Sequence, residues 1–387
     1  MNDQTSTSLG DLLKTFGGSL KTGPFGTALK AAEYSKLGGV PIISVGEVGY
    51  GTLRVGKSTP RVGEDVLRRL PEYILRPGDI VFGRKGAVDR CGLVRENEDG
   101  YFLGSDGIRL RLGSGIDPEF LTYQFQSSRV RNWLISNSSG TTMASLNQEI
   151  LGRVHVNLPT LLEQRRAAKG LNAADDLIAA LERLIVKKQA IKQGMMQQLL
   201  TGRIRLPGFV RDWTDRRLGD VLTIRHGRNQ RSVESSSGTV PILATGGQIG
   251  WADRPLYSKP SVLIGRKGTI DRPQYQDRPF WTVDTLFYTE IAADADPRFL
   301  YYLFQTVDWR SMNEASGVPS LSSTRIEGVE VRLPDLTEQV TIRGALDDTT
   351  AEITALDARL AKVRAIKTGM MQQLLTGRAQ LPTEVAL

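Results

Sequence analysis

Cysteine occurs once in the 387 residues, at Cys91, and histidine twice, at His155 and His226. One cysteine excludes an internal disulfide and a thiolate zinc site. Two isolated histidines speak against a histidine-based catalytic centre or metal cluster. No run approaches 18 apolar residues, so no membrane-spanning helix is expected. The stretch from Met1 to Ser6 lacks a basic, apolar signal, and a reducing cytoplasm is the expected home. Missing too are an Asn-Pro-Pro-Tyr or Asp-Pro-Pro-Tyr tetrapeptide and a Gly-x-x-x-x-Gly-Lys-Ser/Thr phosphate loop. If this chain takes part in methyl transfer or nucleotide hydrolysis, another chain must supply the chemistry.

What is present describes a water-soluble chain of two or three domains, 40% hydrophobic and 24% charged. The net charge of +8 favours an anionic partner, but it is unevenly spread. Residues 1–157 hold 19 basic and 16 acidic side chains, and residues 210–332 hold 16 and 15. Residues 158–209 hold 9 against 4, and residues 333–387 hold 6 against 7. Any nucleic acid would have to be held by local clusters of cations.

The strongest signal is a repeat. Gly194-Met195-Met196-Gln197-Gln198-Leu199-Leu200-Thr201-Gly202-Arg203 recurs without change as Gly369 to Arg378. Each copy closes a segment that opens with Leu158-Pro159 and Glu163-Gln164, or Leu333-Pro334 and Glu338-Gln339, and the offset is 175 residues at both ends. A helix that must keep its length behaves this way. The shared apolar positions are Ile178/Ile353, Leu181/Leu356, Ile185/Leu360, Ile191/Ile366, Met195/Met370 and Leu199/Leu374. Steps of three and four place them on one narrow stripe, the seam of a coiled coil. Proline at 159 and 334 and glycine at 202 and 377 stand where a helix start and a C-terminal cap belong. Each helix would be roughly 55 Å long.

The stretches before the helices repeat as well. Leu9-Gly10-Asp11 returns at Leu218, Val40-Pro41-Ile42 at Val240, and Asp117-Pro118 at Asp296. Gly83-Arg84-Lys85-Gly86 with its trailing Asp89-Arg90 returns as Gly265-Arg266-Lys267-Gly268 with Asp271-Arg272. Between these landmarks the offset falls from 209 to 175, so the first domain is longer by about 34 residues, all in connections. Asp79–Phe82 and Ala87–Val88 read as the two strands of a hairpin. Asp117-Pro118 opens a helix expected to run through Phe120, Phe125 and Trp133.

This order of variable domain, long helix, variable domain, long helix resembles the specificity subunit of type I restriction–modification systems. The Leu-Pro-x-Leu-x-Glu-Gln openings at 158–164 and 333–339 carry the resemblance. So do the repeated Gly194–Arg203 and Gly369–Arg378 endings and the link from Leu200 through Pro207, Trp213 and Leu218. It implies an α+β chain with two mixed α/β target recognition domains, residues 1–157 and 210–332. Two long antiparallel coiled-coil helices, within residues 158–209 and 333–387, would separate them with pseudo-twofold symmetry, bringing Leu9 near Pro382. Each recognition domain would read one half of a bipartite site on double-stranded DNA. The helices would set the spacing and dock two modification subunits, adenine methyltransferases using S-adenosylmethionine. Restriction subunits, motor-nucleases using ATP and Mg, would join them. The chain itself would carry no cofactor and meet no membrane.

Within that frame, Arg84-Lys85 and Arg266-Lys267 sit between glycines in matched turns suited to a phosphate, with Arg90 and Arg272 following. Thr141, Thr142 and Ser316 can donate hydroxyl and backbone hydrogen bonds to phosphate. Arg225, Arg228, Asn229 and Arg231 form a basic loop in the place held by Phe16 to Lys21 of the first domain, and they are candidates for base readout. The added length around Arg54, Lys57, Arg61, Arg68 and Arg69 is the first domain's counterpart. Met195-Met196 and Met370-Met371 read as seam packing. Two other classes stay open, a bifunctional nuclease–methyltransferase and a coiled-coil scaffold that binds only proteins.

Overall fold

In the computed structural model, residues 6–35, 38–140 and 143–377 are described. The chain forms two compact units, residues 1–180 with 360–387, and residues 181–359.

In the first unit Ser8 caps a helix over Leu9–Phe16 by accepting from the Asp11 amide. A five-stranded sheet follows in the order 18–22, 107–112, 80–83, 91–93, 50–51. Beside it lies a three-stranded sheet, 61–62, 40–43, 102–103, whose second pair is parallel. Phe82 meets Phe125 edge to face at 4.7 Å, within a core that includes Leu12, Ile108 and Leu151. The second unit repeats the plan. Its sheets run 222–226, 286–291, 261–265, 274–276, and 247–252, 240–244, 281–282, again with a parallel second pair.

The long helices span Leu161–Leu199 and Leu336–Leu374, 39 residues each. Gly202 and Gly377 both adopt φ 68°, the left-handed conformation in which only glycine escapes a Cβ penalty. Within each unit the two helical stretches pack antiparallel. In the second, Lys188 binds Glu352 at 2.8 Å and Met195 Sδ accepts from Thr349. In the first, Lys367 binds Asp175 at 2.6 Å, and Ala168 and Leu171 share a cluster with Leu374.

The seam is narrower than the periodicity implies. Leu181, Ile185, Leu199, Leu360 and Leu374 are buried, and Ile178, Met195, Ile353, Leu356 and Met370 are half-buried. Ile191 and Ile366, expected in the seam, are 43% and 50% exposed. Both fall where Lys192 and Lys367 turn inward, each ammonium 5.4 Å from the ring of Tyr302 or Tyr123. The helix rotation that seats these lysines turns the preceding isoleucines out.

The repeated Glu-Gln openings acquire a physical cause. Gln164 accepts from the Asp117 amide at 2.8 Å and donates to the Pro159 carbonyl. Gln339 accepts from the Asp296 amide at 2.9 Å and donates to the Pro334 carbonyl. Each buried amide thus ties the N-terminus of a domain helix to the first turn of a long helix. Gln339→Ala strands two backbone groups and opens a cavity, so it is expected to cost about 3 kcal/mol. Urea unfolding checks this, and a loss below 1 kcal/mol would contradict the clamp.

Three local expectations need correction. The second hairpin strand is Cys91–Leu93 rather than Ala87–Val88, because Ala87 closes the turn by donating back to Lys85. The single helix expected across Phe120 to Trp133 is two, Pro118–Gln126 and Ser128–Asn137, broken where Ser127 caps the second. The basic loop at 225–231 does not stand opposite 16–21. Thr22 pairs with Ile108 as His226 pairs with Phe287, so its counterpart begins at Lys21. The cause is local: an eight-residue helix opens the first domain, and only a 3-10 turn, Leu218–Asp220, opens the second. Pro382, expected near Leu9, lies outside the described residues.

Candidate nucleic-acid interface

Each Gly-Arg-Lys-Gly turn is built by close backbone approach. A Cβ on Gly265 would stand 2.1 Å from the Thr269 carbonyl, and one on Gly83 would stand 2.8 Å from that of Ala87. Gly86 and Gly268 take φ of 72° and 85°. Only glycine suits both places.

The turn is held from two sides, in the same way in both units. Gly86 donates to Ala144 O at 2.8 Å, and Leu146 donates to Arg84 O at 2.8 Å. In the second unit Gly268 donates to Pro319 O at 2.8 Å and Leu321 to Arg266 O at 3.0 Å. These bonds bring the polar loop that the sequence placed some 50 residues away against the cationic turn. On the other side Arg84 donates to Asp106 O and Arg266 to Thr285 O, both at 2.8 Å.

An ion pair braces each turn from below. Arg131 holds Asp89 at 2.6 Å, and Arg310 holds Asp271 at 2.5 Å. Burial pushes the Asp89 carboxyl up, but Arg131 and the Tyr50 hydroxyl outweigh it and keep it below the ordinary value. Arg131 and Arg310 escaped the sequence reading, although they stand at the spacing shared by Asp117 and Asp296. That spacing was the signal available.

The candidate cations fall into two groups. Lys57, Lys85, Arg228, Arg231, Lys267 and Arg272 are exposed, with Lys85 lying 3.3 Å from Asp106. Arg84 stands over the Phe25 ring at 5.5 Å, and Arg90 over Tyr50 at 5.6 Å. Arg266 reaches the Asp284 carbonyl at 3.4 Å. The others have partners in the fold, Arg225 while remaining exposed. Arg61 donates to the Gly39 carbonyl at 2.9 Å, Arg69 pairs with Glu33, and Arg225 pairs with Glu290 at 2.8 Å. Asn229 accepts from the Arg231 amide at 2.9 Å, so its side chain shapes the loop. Ser316 is exposed on the polar loop, while Thr141 and Thr142 lie outside the described residues.

Cys91 is buried, with its thiol pushed up to about 12 by burial, and is a packing residue. Among the described residues no His, Cys, Asp and Glu group could hold a metal ion. No helix of the described residues is long and apolar enough to cross a membrane.

Comparison with known proteins agrees with this duplicated architecture. The model of the type I restriction modification DNA specificity domain matches residues 8–193 and again 210–364. A putative MjaX specificity subunit of Methanocaldococcus jannaschii is 23% identical over 354 residues, 83% of each chain. The MjaVIII specificity subunit of the same organism is 26% identical over 186 residues, 47% of this chain and 43% of that subunit. The chain therefore spans less than half the length of the latter. The crystal structure of an S subunit from M. genitalium superposes with a TM-score of 0.63 at 16% identity, covering 96% of both chains. That of the HsdS subunit from Thermoanaerobacter tengcongensis gives 0.53 at 18% identity over 97% of both. With two specificity domains matched in tandem, the chain belongs to the type I restriction–modification DNA specificity family.

Proposed function

We propose that each cationic turn, with its polar loop, is the backbone-gripping part of one target recognition domain. The two domains read the two halves of a bipartite site on double-stranded DNA. The observation that carries this is the duplication of the whole assembly, turn, loop and bracing ion pair, in two units whose connecting loops differ. Constant grips with variable loops suit a molecule that positions through phosphate and specifies through bases. The long helices set the distance between half-sites and dock two modification subunits, which bring S-adenosylmethionine. Restriction subunits with ATP and Mg complete the complex in the cytoplasm.

On this reading the purified chain neither methylates nor cuts DNA, and methyl transfer begins when modification subunits are added. Transfer of label from S-adenosylmethionine to DNA by the chain alone would overturn it. Lys85→Ala and Lys267→Ala are each expected to weaken binding to all sequences alike, lowering the salt slope by about one unit. A loss confined to one base position, at unchanged slope, would reassign the lysine to base readout.

A further inference from the structure

The strand Gly247–Ala252 is the outer edge of the three-stranded sheet of the second unit. Its sequence, Gly-Gln-Ile-Gly-Trp-Ala, carries no charge. Edge strands of soluble proteins are usually protected by lysine, proline or a cover, because bare apolar edges invite association. Here Ile249 is 54% and Trp251 45% exposed. Their neighbours face the other way: Ala252 is fully buried, and a Cβ on Gly250 would lie 3.3 Å from the Glu234 carboxylate and 3.7 Å from Ile242. Ile249 is also the extra residue of a bulge, since Gly250 opposes Ile242 and Gln248 opposes Leu243. Bulges re-aim side chains and recur beside functional sites. The result is a two-residue apolar ridge of isoleucine and tryptophan on an exposed face.

A loop or turn that carries cations adjoins each end of the ridge, with Glu234 bridged to Ala252 at the second end. At one end the hairpin turn abuts the Arg266-Lys267 turn, where a Cβ on Gly268 would stand 3.8 Å from Thr245 Oγ1. At the other, Ser235 donates to the Trp251 carbonyl and Asp253 to that of Val233, both at 2.9 Å. Those residues continue the loop of Arg228 and Arg231, itself fixed by Trp281 Nε1 on the Arg228 carbonyl at 2.9 Å. Six strand residues span about 20 Å. The major groove is about 12 Å wide and admits a two-stranded β-ribbon. A ribbon of this length reaches from one phosphate wall to the other, with Ile249 and Trp251 over base edges and the Glu234 carboxylate on the side of Gly250.

Among its described residues the first unit has nothing equivalent. Its strand in the same topological place is only Arg61–Val62, and a 17-residue connection replaces the two-residue turn. The ridge therefore stands where the two domains differ, as an element of sequence discrimination must.

We infer that Ile249 and Trp251 enter the major groove of the half-site read by the second domain. There they make apolar contact with base edges, while Arg266-Lys267 and Arg228/Arg231 hold the flanking phosphates. This rests on the specificity-subunit reading above. Apolar side chains distinguish bases chiefly through the thymine methyl group and exclude hydrated polar edges.

The test uses the full chain assembled with its modification subunits, on a duplex whose sequence is taken from the modified adenines. Ile249→Ala/Trp251→Ala is expected to weaken cognate binding by about tenfold or more. It should flatten the penalties for base changes in the second half-site and keep those of the first. The salt slope should stay unchanged, and Trp251→Phe should retain most discrimination. In the unaltered complex, cognate duplex should shield Trp251 from acrylamide, read as the difference from Trp251→Phe; this measurement stands even if the double variant fails to fold. Intact discrimination in both halves, or an unshielded Trp251, would overturn the inference. So would lost assembly with the modification subunits at unchanged discrimination, which would make the ridge a protein contact. An unaltered complex without any sequence preference would instead sink the specificity-subunit reading itself.

Discussion

Exchanging residues 210–332 for the corresponding domain of a relative is expected to replace one half of the target and leave the other half and the spacing intact. Affinity for the original site should fall to the non-specific level, a loss of about a thousandfold or more. The physical ground is that this domain carries its own pair of sheets, on a core of Leu222, Ile264, Phe287, Phe299 and Trp309 that continues into Met196, Leu199, Leu200, Ile342 and Leu346 of the long helices. Beyond that shared apolar seat, Trp213 Nε1 donates to Glu338 at 3.1 Å and Arg343 donates to Asp296 at 3.2 Å. Asp296 gives its amide to Gln339, and Tyr302 and Arg298 both reach Asp347 Oδ1, at 2.7 and 2.6 Å. A donor domain that keeps these residues and the apolar surface against Ile342 and Leu346 should seat on the same helix at the same angle. Methylome mapping of a strain carrying the hybrid measures the outcome directly. Altered bases in both halves would show that the domains do not read independently, and an altered spacing would show that the seat was lost.

The parts of this architecture that were readable in the sequence are those under periodic or duplicated constraint. Two 39-residue helices without insertion must keep their offset, and they did. The glutamines of the openings are shared because both make the same two backbone bonds. What escaped is set by tertiary partners. Nothing in the periodicity of Ile191 or Ile366 says that the next residue, a lysine, will be drawn inward over a tyrosine supplied by a distant helix. Arg225 and Arg61 look like free cations in one dimension; in three, Arg225 is exposed but paired with Glu290, and Arg61 donates to the Gly39 carbonyl. Conversely, the strand at 247–252 has no counterpart among the repeated landmarks, and only the fold shows Ile249 and Trp251 exposed on it. Among the candidate cations, the fold shows which are exposed and which are hydrogen-bonded or ion-paired to neighbouring groups.

Asp79→Ala is expected to be the most damaging single change in the first domain, at about 4 kcal/mol, close to a thousandfold in the folding equilibrium. The Asp79 carboxylate is 2% exposed and takes both arms of Arg111, at 2.7 and 2.6 Å, together with the Arg76 amide at 2.8 Å. It anchors the turn from which the Ile80–Gly83 strand enters the cationic hairpin. Arg109, buried two residues from Arg111, makes the pairing more necessary, because its own guanidinium is disfavoured by burial and by Arg111. Removing the carboxylate leaves two neighbouring guanidiniums with no anion between them. The second domain shows that the ion pair is not required by the topology. In the corresponding place Ser261 Oγ donates to the Thr289 carbonyl at 2.7 Å and accepts from the Thr289 amide at 2.9 Å. Hence Asp79→Leu combined with Arg111→Met should recover most of the loss, to within about 1 kcal/mol, since an apolar pair of similar volume often matches a buried ion pair. Hydrogen exchange at the amides of residues 80–83 in the full chain reads the local opening energy without assuming that both units unfold together. A cost below about 1 kcal/mol for Asp79→Ala would mean that water screens the pair as it does a surface salt bridge. A double variant as unstable as the single one would mean that Arg111 is needed for its bond to the Ile74 carbonyl, at 3.2 Å, rather than for its charge.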